Sequence, residues 1–132
     1  MGIERVILLA LIASILISMA SAIPGQATYY TPSKNTSELA CRKTAPIGTL
    51  VAAVDPSMFN NGTACGKSYT IRCTGPFIIG DPQPCRNGNI TVTVCDLCNG
   101  CSYPHFDLTP EGFSTIADPN EAGVIFIDYK EV

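Results

Sequence analysis

The sequence contains no tryptophan, one histidine and no run of basic residues. A single histidine excludes zinc sites built on paired histidines, and we expect no metal and no cofactor. Eight Lys and Arg against eleven Asp and Glu give a formal net charge of -3, which offers little counter-charge to a phosphate backbone. Nucleic acid is therefore not an expected partner. At 132 residues the chain is also too short for a multidomain enzyme.

Long apolar segments are confined to one place, the 12-residue run Val6–Ile17 near the N-terminus. Arg5 precedes the run, and small residues follow it up to Ala22. This pattern predicts a signal peptide over residues 1–22 and a mature domain over residues 23–132. The alternative is an uncleaved anchor, but the run is shorter than the roughly 20 residues that a bilayer requires. We therefore expect a secreted protein with no membrane insertion after cleavage.

Cysteine is abundant in the expected mature domain. Its seven cysteines are Cys41, Cys65, Cys73, Cys85, Cys95, Cys98 and Cys101. In an oxidising compartment this density indicates disulfides, and an odd number leaves one thiol over. Two C-x-x-C spacings occur, but a structural zinc site requires a second pair of ligands, and a thioredoxin-type site requires a helix that begins at the motif. Candidate glycosylation sites are the sequons at Asn35, Asn61 and Asn89.

Short β-prone segments alternate with turns rich in glycine, proline and asparagine. The predicted strands cover residues 27–31, 50–54, 68–73, 90–94 and 124–128. In the segment from residue 90, alternation places Val92 and Val94 on the core face and Cys95 on the opposite face.

One short helix is predicted after Thr109. Thr109 is a typical N-cap, Pro110 suits the first helical position, and Pro119 ends the segment. Strands at this spacing with one helix indicate an all-β fold, a small barrel rather than a sheet built from βαβ units.

Several motifs follow one another in a recognisable order. They are ATYY from residue 27, FNNGTACGKSYTIRC from residue 59, ITVTVCDLC from residue 90, HFDLTPEGFSTIAD from residue 105 and GVIFIDY from residue 123. In this order they resemble the plant natriuretic peptide and endoglucanase-45-like family, single-domain relatives of the expansin N-terminal domain and of barwin. The resemblance implies a six-stranded double-psi β-barrel. It also implies three disulfides, Cys41–Cys65, Cys73–Cys85 and Cys98–Cys101.

Cys95 departs from the family pattern, which usually has a small apolar residue before the aspartate. Two interpretations are open: a buried thiol that stays reduced, or a thiol that forms an intermolecular bridge. Free cysteine is among the most buried residue types, which favours the first interpretation and a monomer.

The resemblance further implies a polysaccharide-binding groove. Four residues match groove residues of the family: Thr28, Tyr30, Asp96 and Asp107. His105 stands two residues before Asp107 and is the fifth candidate. Asp107 matches the general acid of family-45 endoglucanases, but their catalytic base has no counterpart near the first strand. Glu38 is the one acidic residue between Tyr30 and Cys41. Because hydrolysis requires two carboxylates across the sugar bond, we expect no enzyme activity.

Three functions follow from the resemblance. The favoured one is a non-catalytic, natriuretic-peptide-like signalling protein of the apoplast, acting in water and solute homeostasis. It would bind a cell-surface protein or receptor, with the segment Val54–Lys67 as a candidate contact. The second is a protein that binds or modifies cell-wall polysaccharide, and the third is a barwin-like defence protein.

Overall fold

The computed structural model describes residues 22–43 and 50–132. The predicted signal peptide, apart from Ala22, lies outside the described residues. Six strands form the fold: β1 (Ile23–Tyr29), β2 (Leu50–Val54), β3 (Ser68–Pro76), β4 (Ile90–Leu97), β5 (His105–Leu108) and β6 (Ile125–Glu131). Two helices accompany them, the single turn α1 (Pro56–Phe59) and the longer α2 (Pro110–Ile116). Single 3-10 turns cover Thr36–Glu38 and Asn60–Gly62.

The strands close into a barrel in the order β1-β5-β2-β4-β3-β6. β1 is parallel to β5 and β2 is parallel to β4, whereas the other neighbouring pairs are antiparallel. The predicted all-β barrel of six strands is confirmed. Among the described residues, no helix has the length and apolar character that a membrane crossing requires.

The predicted helix is confirmed at α2. The Thr109 hydroxyl accepts a hydrogen bond from the Gly112 N–H at 3.1 Å, and Pro110 occupies the first turn. Phe113 and Ile116 are fully buried against the barrel. α1 was not predicted from the sequence; it is a helix only one turn long, with Asp55 as its N-cap.

β5 was also not predicted: Phe106 and Leu108 alternate with two polar residues, but the segment is only four residues long, which is too short for a clear strand signal. It lies between β1 and β2, and it carries both His105 and Asp107. Its Phe106 is fully buried and packs edge-on against Tyr69 and Tyr129, with ring centroids 5.2 and 5.0 Å away. This aromatic cluster holds β5 against β3 and β6 across the interior.

The alternation predicted for β4 fails after Val94. Ala52 of β2 pairs with Val94, but the next residue, Ala53, pairs with Asp96. Cys95 is therefore the extra residue of a β-bulge, and its side chain is 3% exposed rather than on an open face. This burial agrees with the interpretation of Cys95 as a buried thiol, and the bulge moves the residues after Cys95 to the face opposite the one that strict alternation predicts.

Three disulfides staple the barrel, and they join the pairs implied by the resemblance: Cys41–Cys65, Cys73–Cys85 and Cys98–Cys101. Cys95 is the free cysteine of the described residues and is buried. Burial, followed by the nearby Asp96 charge, raises the pKa of its thiol to about 11. A thiol of this kind is a poor nucleophile at neutral pH.

Candidate functional site

One row of side chains crosses four neighbouring strands of the barrel. Thr28 of β1 pairs with Asp107 of β5, Asp107 pairs with Ala53 of β2, and Ala53 pairs with Asp96 of β4. We call these four residues the carboxylate row. Because neighbouring strands lie about 4.8 Å apart, the row spans roughly 14 Å, with its two carboxylates two strands apart.

The bulge at Cys95 completes this row. Without it, strict alternation from Val94 would turn Asp96 toward the barrel interior. With the extra residue, Asp96 shares a face with Ala53 and thus with Asp107. Small Ala53, 1% exposed, separates the two acids. Sequence reasoning placed both aspartates in one groove but could not give this register.

The Thr28 hydroxyl connects His105 and Asp107. Its oxygen lies 2.7 Å from His105 Nε2 and 2.9 Å from Asp107 Oδ1. An ionised carboxylate can only accept, so the single hydroxyl proton of Thr28 is donated to Asp107. The Thr28 oxygen then accepts from Nε2–H, which assigns the tautomer of His105.

Burial shifts both titratable groups of this trio toward their neutral forms. It raises the pKa of Asp107, although the Thr28 hydrogen bond and His105 act in the opposite direction. It lowers the pKa of His105, against the charges of Asp107 and Asp55. The pKa values of the acid and the imidazole are therefore brought closer together than in water.

Tyr30 and Asp96 form the other end of the site. The Tyr30 hydroxyl donates to Asp96 Oδ2 at 2.9 Å, and the Ala40 N–H donates to Asp96 Oδ1 at 2.9 Å. The Leu97 N–H also donates to Oδ1, at 3.0 Å. Burial and this carboxylate raise the pKa of Tyr30, so that the phenol stays a donor. At one end of the row, Asp96 thus accepts hydrogen bonds from protein groups; at the other end, the Thr28 hydroxyl links His105 to Asp107.

Sequence reasoning missed the role of Asp55. This carboxylate is fully buried and accepts three backbone hydrogen bonds, from Ser57 and Met58 at the start of α1 and from His105 at 2.9 Å. The Asp55 N–H in turn donates to the His105 carbonyl at 3.3 Å. Asp55 therefore fixes the segment Val54–Lys67 to the start of β5. The Asp-Pro step before a short apolar run is the N-cap signal that could have revealed it.

The other predicted site residues are less involved in this cluster. Glu38 accepts a hydrogen bond from the Ser33 hydroxyl within its own turn. The three sequon residues, Asn35, Asn61 and Asn89, are all exposed. Asn61 has a left-handed backbone at φ 54°, inside the Val54–Lys67 segment.

The Cys98–Cys101 disulfide adjoins Asp107. One ligand-type atom from each of these residues, two sulfurs and a carboxylate oxygen, lie within 4.8 Å of one another, and all three residues are half-buried. While the sulfurs are bonded to each other they are not available to a metal, so the oxidised protein has no complete set of ligands here. In the part of the chain that the structure describes, this is the one group of three or more potential metal ligands.

These features define a class: disulfide-stapled barrel proteins with a row of carboxylates and hydroxyls across four strands. The family model described as lytic transglycolase matches residues 51–129. An EG45-like domain containing protein from Citrus jambhiri is 39% identical over 128 residues, with 96% of this chain and 95% of the relative covered. The chain belongs to the EG45-like, expansin-related family of double-psi β-barrel proteins.

Solved structures show the same fold. The expansin of Clavibacter michiganensis superposes with a TM-score of 0.65 at 32% identity, covering 84% of this chain. This chain spans half of that expansin's length, 50%. A mutant of the same expansin, solved in complex with cellohexaose, gives a TM-score of 0.65 at 30% identity. A GH45 endoglucanase in complex with cellobiose shares the fold at 18% identity, with a TM-score of 0.58 over 84% of this chain.

Proposed function

We propose that this protein is a non-catalytic, extracellular protein that binds a β-linked glucan of the plant cell wall. The observation that carries the proposal is the continuous carboxylate row across β1, β5, β2 and β4. The cellohexaose complex of the bacterial expansin, 30% identical to this chain, supports the same class of ligand.

The chemistry of the row suits a chain of sugars. Carboxylates and hydroxyls at regular spacing can accept hydrogen bonds from sugar hydroxyls, and charged acceptors form the stronger ones. Asp107 and Thr28 are half-buried rather than enclosed, which leaves their polar atoms partly accessible. Tyr29, the next residue of β1, points to the opposite face and packs on Phe113 at 4.7 Å, so it does not extend the row.

The hydrogen bonds of the second carboxylate support binding without hydrolysis. Both oxygens of Asp96 already accept from protein donors, Tyr30 on one side and two backbone N–H groups on the other. A catalytic base must accept a proton from water on the reacting face, and engaged lone pairs disfavour this role. Glu38, the other candidate base, is bonded to Ser33.

Residual endoglucanase activity is a second candidate, and one observation favours it. Burial raises the pKa of Asp107, as a general acid requires. The Cα atoms of Asp96 and Asp107 lie two strands apart, roughly 10 Å, whereas the rule for inverting glycosidases refers to the distance between the carboxyl groups themselves. A product assay separates this candidate from simple binding.

A natriuretic-peptide-like signalling role is a third candidate. The segment Val54–Lys67 includes α1 and an exposed turn at Asn60 and Asn61, and Asp55 hydrogen-bonds its start to β5. An exposed segment positioned by the barrel in this way suits a contact with a cell-surface protein. Swelling of protoplasts with no polysaccharide present would favour this role over the proposed one.

The experiment compares binding with hydrolysis in one series of variants. Cellohexaose binding is measured by calorimetry and retention on insoluble wall polymers by pull-down, using disulfide-intact protein. We expect wild type to bind, Asp107→Asn and Tyr30→Phe to weaken binding about tenfold, and Asp81→Asn, an exposed carboxylate in a remote turn, to bind as wild type.

Released oligosaccharide is assayed in the same samples. Wild type is expected to release none. If wild type releases oligosaccharide and Asp107→Asn does not, the enzymatic function replaces the proposed one. No binding to any wall polymer, by a protein that is folded and disulfide-intact, would refute polysaccharide recognition.

A further inference from the structure

The strongest unassigned chemistry lies where the C-x-x-C turn meets β5. The sulfurs of Cys98 and Cys101 and a carboxylate oxygen of Asp107 lie within 4.8 Å of one another. Atoms that share one tetrahedral zinc ion lie about 3 to 4 Å apart, given metal–ligand distances of about 2.0 to 2.3 Å. While the S–S bond is intact, the two sulfurs are too close together to share a metal ion. The Asp107 oxygen already lies within 4.8 Å of both, so that opening the bond frees three ligand atoms that can reach this spacing.

Of the three disulfides, this one contributes least to the free energy of unfolding, so its opening destabilises the fold least. It joins residues only 3 apart in sequence, whereas the other two bridges join residues 24 and 12 apart. The stabilisation that a bridge provides by restricting the unfolded chain falls as its loop shortens. Cys98 and Cys101 are also half-buried with exposed Asn99 and Gly100 between them, so that a reductant can approach the sulfurs.

Contacts other than the S–S bond also hold the first cysteine and the carboxylate in place. Cys98 N–H donates to the Val54 carbonyl at 2.8 Å, which ties the first cysteine to the end of β2. Asp107 is fixed by its pairing with both Thr28 and Ala53. These contacts tie Cys98 and Asp107 to the barrel independently of the S–S bond.

We propose that reduction of the Cys98–Cys101 disulfide creates a binding site for a thiophilic divalent cation of the Zn²⁺ type, with Cys98, Cys101 and Asp107 as its three protein ligands. A dithiol reductant supplies two electrons and two protons, the S–S bond breaks to give two thiols, and the reductant becomes its own disulfide. The cation then displaces the thiol protons and is held by two thiolates and a carboxylate, with the fourth position open to water.

Occupation of this site would change the carboxylate row. A metal-bound Asp107 could no longer accept freely from Thr28 or from a ligand in the row. In the oxidised protein the Asp107 carboxylate is available to a ligand in the row; in the reduced, metal-loaded protein it is bound to the metal instead. The inference stands on the cysteine–aspartate geometry and does not depend on polysaccharide being the natural ligand.

The test uses Co²⁺, whose visible spectrum reports tetrahedral thiolate coordination. The full protein is reduced with a limiting amount of a phosphine, and alkylation with peptide mass analysis identifies which bridge has opened. We expect Cys98–Cys101 to open first with the near-ultraviolet circular dichroism retained. One equivalent of Co²⁺ should then bind, Zn²⁺ should displace it, and the oxidised protein should bind none.

Variants assign the ligands. Asp107→Asn should weaken Co²⁺ binding at least about tenfold, whereas the charge-matched control Asp81→Asn should bind as wild type. The double variant Cys98→Ser, Cys101→Ser keeps Asp107 and should bind none, which tests the site even where reduced Asp107→Asn does not fold.

Three outcomes would overturn the inference. They are equal binding by wild type and Asp107→Asn, no binding by the reduced protein, and loss of the folded spectrum before the Cys98–Cys101 bond opens.

Discussion

The buried carboxylate of Asp55 gives the sharpest prediction about stability. Asp55→Ala removes the N-cap of α1, which typically stabilises a protein by about 1 kcal/mol. It also leaves the His105 N–H buried without its acceptor, at about 1 to 3 kcal/mol. The sum predicts a loss of about 2 to 4 kcal/mol in the free energy of unfolding.

Urea denaturation measures this loss. Small proteins have slopes of about 1 to 3 kcal/mol per M urea, so the midpoint should fall by about 0.7 to 4 M. The matched control is Asp118→Ala, which removes a half-exposed aspartate that accepts from Asn120 N–H at 2.9 Å. The control should lose less than about 1 kcal/mol.

Asp55→Ala should also disturb the site, because Asp55 holds the backbone at the start of β5. The NMR signals of His105, the single histidine, should shift in this variant and not in the control. Equal midpoints for the two variants, with unchanged His105 signals, would refute the reasoning that Asp55 ties the Val54–Lys67 segment to β5.

Three further predictions concern titration and disulfides. An NMR titration should show that the His105 imidazole has a pKa below its usual value of about 6.5, because burial disfavours the charged form. The folded protein should therefore lose stability as the pH falls below about 6.5, and His105→Gln should remove this part of the pH profile. A titration midpoint of His105 above about 6.5 would contradict the burial argument. The disulfide loops of 24 and 3 residues predict different losses in the free energy of unfolding: about 3.5 kcal/mol when both Cys41 and Cys65 are replaced by alanine, and about 1.6 kcal/mol for Cys98 and Cys101. Urea denaturation measures both losses, and the reverse ranking would contradict the loop model. The Cys95 thiol, with its pKa raised to about 11, should react with iodoacetamide at pH 8 far more slowly in the folded protein than in urea. Non-reducing electrophoresis of the wild type should show a monomer; a disulfide-linked dimer that disappears in Cys95→Ser would contradict the buried thiol.

Local patterns predicted much of the barrel. The bounds of β2 agree with the prediction, and β3, β4 and β6 each overlap their predicted segments, because short apolar runs between turn residues are a local signal. α2 followed from its capping residues alone. β1 begins at Ile23, four residues earlier than predicted, because its first half contains Pro24 and Gly25 and takes its strand conformation from pairing with β6.

The site could be predicted only as a set of residues. Thr28, Tyr30, Asp96, His105 and Asp107 came from a family resemblance, and which of them touch was not accessible from spacing. Thr28 and Asp107 are 79 positions apart, and their hydrogen bond exists because β1 and β5 pair in parallel. The bulge at Cys95 had no local signal, since an extra residue shows itself only against the partner strand.

The sequence by itself determined most of the strand-forming segments, the capped helix α2, the abundance of disulfide-forming cysteines and the acidic, histidine-poor character of the chain. These follow from local propensity and composition, which depend on neighbours in the chain. The tertiary structure alone decided that two carboxylates share a row, that Asp55 supports His105, and that Asp107 lies beside the Cys98–Cys101 bond. Those relations depend on strand register and barrel closure, which bring together residues far apart in sequence.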